Sequence, residues 1–132
     1  MAQLYEIFSG EELKIAEKIQ RRRYQMLVHS YIYYEMNENL ISDSQWSSWA
    51  MELVDLQSKY PVIAEQVIYA KDFADWDGSS GAFLTYADKP NIVITATRLV
   101  RGNSKKPNVS VVIHSPKKPL INKPSPTKKK LF

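Results

Sequence analysis

Tyr33, Tyr34, Asp43 and Trp46 fall within one short stretch of the chain. Between them they offer aromatic faces, phenol hydroxyls and a carboxylate, groups that can stack on a flat cation and accept or donate hydrogen bonds. That is binding chemistry. Bond-making chemistry has no comparable set: there is no cysteine, no Gly-x-Ser-x-Gly, and no phosphate-cradling loop among the four glycines. The only histidines, His29 and His114, lie in different segments, so no histidine-built metal site is expected, and His29 reads as a helix-surface residue. Asp72, Asp75 and Asp77 suggest a cation site, but the EF-hand spacing and its closing glutamate are absent.

The elements that must position these residues lie between His29 and Pro61. Ser42 precedes an apolar-periodic run with Gln45 three residues later, a capping-box pattern that starts a helix near Asp43. Asp43 in a first turn also suits the positive end of the helix dipole, a structural reason for its presence that needs no ligand. Trp46, Trp49, Ala50, Leu53 and Leu56 then make one apolar stripe on a helix that ends before Pro61. A preceding helix from Glu11 to about Glu35 carries Tyr24, Leu27, Val28, Tyr31 and Tyr34 at the same spacing, and the polar segment Asn37–Asn39 separates the two. The expected fold is mainly α: a small helical domain built on an antiparallel helical hairpin.

The run Tyr31-Ile32-Tyr33-Tyr34, then Ile41-Ser42-Asp43-Ser44-Gln45-Trp46, then Glu52-Leu53 through Lys59-Tyr60-Pro61 resembles the N-terminal helical subdomain of bacterial NAD-dependent DNA ligases. It also resembles short ligase-related proteins of phage and prophage genomes, which keep this hairpin and a following Asp-Trp-Asp-Gly segment without a catalytic domain. The resemblance covers roughly residues 15 to 61. It implies that the hairpin closes over nicotinamide mononucleotide or that half of NAD. Tyr33 and Tyr34 match the aromatic pair, Asp43 the first aspartate, and Trp46 stands where a tyrosine is usual. Ser47 stands where a second aspartate is usual. The ligase adenylation motif Lys-x-Asp-Gly is missing, since Lys71 lies six residues before Asp77 instead of two. The resemblance therefore implies a non-catalytic protein of phage or prophage DNA metabolism, acting in the host cytoplasm.

The rest of the chain divides by charge. Residues 1–88 hold all 14 acidic groups and 7 of the 18 basic ones, whereas residues 89–132 hold 11 basic groups and no acid. The expected division is a helical domain over 1–102 and a basic tail over 103–132, with one short strand at 109–113. Arg21, Arg22 and Arg23 splay around their helix and read as solvated charges, one of them paired with an acid of the next helix, or else as a phosphate contact. Val62–Ala70 suits a short helix. The following segment reads as a loop anchored by Phe73, Trp76 and Phe83, with Asp77-Gly78 and Ser80-Gly81 as turns. Over 92–101 the punctuation by Pro90, Arg98, Arg101 and Gly102 favours a helix, and the β-branched composition a strand; helix is preferred.

From Ser115 onward the chain has four prolines, six lysines and no acid, which predicts a disordered tail. Lys117, Lys118, Lys123, Lys128, Lys129 and Lys130, with Leu131 and Phe132, are its candidate contacts to nucleic acid or to a replication or host protein such as a ligase or sliding clamp. An interaction protein working through this tail is the alternative to a nicotinamide-nucleotide binder. No cysteine-based zinc site, disulfide or membrane span is expected.

Overall fold

A computed structural model describes residues 3–104 of the 132-residue chain. The described part is mainly helical, with no strand: α1 (Leu4–Ile7), α2 (Gly10–Glu35), α3 (Asp43–Lys59), α4 (Pro61–Gln66) and α5 (Pro90–Ser104). The expected boundary at 102 falls inside α5, so residues 103 and 104 belong to that helix, whereas the expected strand at 109–113 and the tail contacts Lys117 to Phe132 lie outside the described residues.

Helix α2 is the axis of the fold, and each of the other four helices packs against it. Its buried positions, Ala16, Ile19, Arg23, Met26, Leu27, Val28, Ser30 and Ile32, spread over more than one stripe because it is covered from several sides. Helix α3 follows the simpler rule. Trp46, Ala50 and Leu53 are buried and Trp49 and Leu56 pack beside them. The Ser42 hydroxyl accepts from the Gln45 amide at 3.0 Å, although the return bond from the Gln45 side chain is not formed. Positions along α2 and α3 meet in opposite order: Arg23 reaches Gln57, and six residues later the His29 ring lies 5.8 Å from Trp49. His29 is thus half-buried against α3 and not a plain surface residue.

The arginine run resolves into three different environments. Arg22 pairs with Glu52 of α3 at 2.7 Å, and Lys18 joins the same carboxylate, which agrees with one arginine serving the next helix. Arg23 overturns the reading of solvated charges, being only 2% exposed. Its guanidinium donates to the carbonyls of Ala64, Val67 and Ile68 and to Gln57 Oε1, and it lies over the Phe73 ring. The end of a helix leaves carbonyls with no partner in the helix, and Arg23 supplies those at the end of α4. Burial pulls its pKa down to about 10, against the raising influence of Asp72. It remains a cation at neutral pH.

Helix α4 stops at Gln66, earlier than expected, and the chain continues as turns. In the segment that follows, Phe73 is fully buried, and Trp76 packs edge-on to both Phe73 and Trp46 while its Nε1 donates to the Ser80 carbonyl at 2.8 Å. Phe83 is not the anchor it promised to be: it is 79% exposed, and Leu84 is buried in its place. Gly81 sits so close to α2 that a Cβ would collide with the Ser30 side chain, and Gly78, at φ +81, lies against Met51 and Val54. At the far end of the segment the buried Lys89 ammonium binds Asp72 and Asp88, both at 2.9 Å. Burial would lower its pKa, but the two carboxylates more than offset that and raise it.

The ambiguous 92–101 stretch is helical. Pro90 opens α5, whose Ile92 and Ala96 are buried and whose Val100 packs against the core, and Gly102 lies within the last turn instead of beyond it. Tertiary burial at steps of four overrides the strand preference of the β-branched residues. Among the described residues no helix is long and apolar enough to cross a membrane.

Candidate functional site

The end of α2 and the start of α3 bring three of the four expected residues to one place. Tyr33 and Tyr34 end α2, where the Met36 amide donates to the Tyr31 carbonyl and the Glu38 amide to that of Ile32. Asn37, at φ +57, makes the reversal; asparagine tolerates the left-handed region better than most residues. The two tyrosine rings meet edge to face with centroids 4.8 Å apart. Asp43 stands in the exposed first turn of α3. Burial pushes the Tyr33 hydroxyl up to about 12, and the nearby Tyr34 and Asp43 add to the shift. The Tyr34 hydroxyl is also raised by burial, against the opposing hydrogen bond with Ser80 Oγ at 3.3 Å. Both phenols are therefore neutral hydrogen-bonding groups at physiological pH.

Trp46 does not join them. Its indole is 2% exposed, packed under Trp76 and close to Gly81. The stacking role expected of it is corrected on this ground: its register on α3 is that of Ala50 and Leu53, which face the core. Ser47 is exposed.

Two contributors were not anticipated. Ser80, buried in the loop, links Tyr34 to a cavity of about 370 Å³ whose walls include Lys71, Asp75, Trp76, Asp77 and Ser80. Tyr86 packs edge-on to Tyr31 at 5.0 Å, and its phenol is raised by burial first and then by Glu35 and Tyr34. The turn pairs Asp77-Gly78 and Ser80-Gly81 announced a loop, but nothing in them announced that it folds back on α2. Two of the three aspartates that suggested a cation site have other partners, Asp72 with Lys89 and Asp77 Oδ1 with the amide and hydroxyl of Ser79, and Asp75 is exposed. Among the described residues no group of three or more histidines or carboxylates is placed to hold a metal ion.

Models of known protein families, curated proteins and solved structures were compared with this chain, and none of them matches it.

Proposed function

We propose that this chain is a non-catalytic, ligase-related binding protein that takes nicotinamide mononucleotide, or that half of NAD, at the junction of α2 and α3. The observation that carries the reading is the gathering of Tyr33, Tyr34 and Asp43 at one exposed junction. Neutral phenols and a carboxylate suit a cationic pyridinium with a hydroxyl-bearing sugar. The cavity beyond Ser80 has room for a small ligand, and its wall, with Asp72, Asp75 and Asp77 against the cation Lys71, suits the cationic ring better than the phosphate. Trp46 has no part in the proposal, and the serine at position 47 leaves the site one carboxylate short of the ligase pattern. A hydrogen bond to a charged group contributes about 1.5–3 kcal/mol, so affinity is expected to be roughly ten- to a hundredfold weaker than with both carboxylates.

Calorimetric titration with nicotinamide mononucleotide and with NAD tests this. Saturable binding that Asp43→Ala removes supports it, and the absence of heat at millimolar ligand sinks it. The charge division of the sequence supports a second reading, an interaction protein whose lysine-rich tail binds nucleic acid or a replication or host protein. That binding would weaken steeply with salt and depend on residues 115–132, whereas nucleotide binding would not.

A further inference from the structure

On the side of α2 that faces α5, a cavity of about 500 Å³ opens between Arg21, Tyr24, Tyr69 and Asn91, with Glu17 and Gln20 also on its wall. Several independent features make it a built site. Its aromatic walls are fixed by α5: Tyr24 Oη lies 2.6 Å from Thr95 Oγ1, and Asn91 Nδ2 donates to the Tyr69 hydroxyl at 3.1 Å. Tyr69 holds this position at φ +70, in the left-handed region where a bulky side chain is strained. The Lys89 ammonium lies over the Tyr69 ring, 5.9 Å from its centroid, and helps to hold it there. Asn91 donates to the phenol oxygen, which leaves the Tyr69 O–H hydrogen to point at something else.

Arg21 supplies the charge. Among the described residues it has no carboxylate partner, in contrast to Arg22 on Glu52 and to Arg23 in the core. Glu17, one helical turn before it, lines the same cavity without pairing to it and disfavours a ligand with several negative charges.

We infer that this cavity is a second small-molecule site, separate from the α2–α3 junction, and that its ligand is an aromatic ring bearing one carboxylate. The ring lies against Tyr24 and Tyr69, and the carboxylate takes the guanidinium fork of Arg21 and the hydrogen of the Tyr69 hydroxyl. The inference does not depend on nicotinamide-nucleotide binding, because it uses none of Tyr33, Tyr34 or Asp43.

Ligand-observed NMR titration with benzoate tests it, with benzamide as the neutral isostere and phenyl phosphate as the more highly charged one. Benzoate should bind saturably, and both isosteres more weakly, benzamide by roughly tenfold or more since it forfeits the charged hydrogen bonds. Arg21→Met alters an exposed, unpaired side chain and should keep the circular dichroism of the parent while losing benzoate by a similar factor. Tyr69→Phe, which keeps the ring, should weaken benzoate more than benzamide, because the hydroxyl donates more strongly to a carboxylate than to an amide carbonyl. Equal binding of benzoate and benzamide, retention of benzoate by a folded Arg21→Met protein, or no benzoate binding at millimolar concentration would each overturn the inference.

Discussion

The α2–α3 contact and the segment from Val67 to Lys89 are built on different principles. The first is periodic: α3 buries Trp46, Ala50 and Leu53 at helical steps in the core that it shares with Leu27 and Val28 of α2, and neighbouring residues on the chain share its load. The second has little regular structure and hangs on single polar anchors, Arg23 at one end, the Trp76 and Ser80 bonds in the middle, and Lys89 at the other. A periodic interface is redundant and loses strength by degrees. A segment held by single anchors fails wherever one is removed.

The largest effect that this contrast predicts is at Arg23. Arg23→Met strips donors from the Ala64, Val67 and Ile68 carbonyls, and the loss is expected to be about 3–5 kcal/mol in urea unfolding. Arg23→Lys should recover only part of it, because one ammonium cannot reproduce the fork. Leu53→Ala, in the periodic interface, is expected to cost about 2–5 kcal/mol by the same measurement, toward the lower end if α2 and α3 close on the cavity. A smaller loss, about 1–3 kcal/mol, is expected for Gly81→Ala, whose methyl group must displace Ser30 or the loop. Its signature is local: faster proteolysis within 76–84 and altered Trp76 fluorescence, with helix content retained.

The least effect is electrostatic. Hydrogen bonding from Arg22, reinforced by Lys18, holds the Glu52 carboxyl below its ordinary value despite some opposing desolvation. The folded pKa is depressed, so the stabilisation is present above the unfolded value of about 4.3 and is lost as pH falls through the folded one. The pair is partly exposed, so its contribution should stay below about 1 kcal/mol. Glu52→Gln should lower stability at neutral pH by less than about 1 kcal/mol and have still less effect in acid, which flattens this acid limb of the stability profile.

The same contrast explains what could be read in the sequence. The start of α3 was legible because Ser42 is a local cap, and α5 was legible from Pro90 onward because helix punctuation is local too. Arg23 was not, since Arg21 and Arg22 beside it are the same residue type and its partners are backbone carbonyls more than forty positions away, which have no sequence signature. Trp46 was misassigned although its register with Ala50 and Leu53 already placed it in the core. The nearness of Tyr33, Tyr34 and Asp43 follows from a short reversal between two helices, which the polar segment 37–39 announced. The part of Ser80 was not legible, because a serine in a turn says nothing about which helix the turn will touch.

The most direct test of the proposed junction site is two-dimensional NMR of the isotopically labelled chain titrated with nicotinamide mononucleotide. Saturable shifts confined to Tyr33, Tyr34, Asp43 and the Ser80 loop, and lost in Asp43→Ala, are the expected result. No shifts at millimolar ligand, or shifts that map instead to Arg21, Tyr24 and Tyr69, would contradict it.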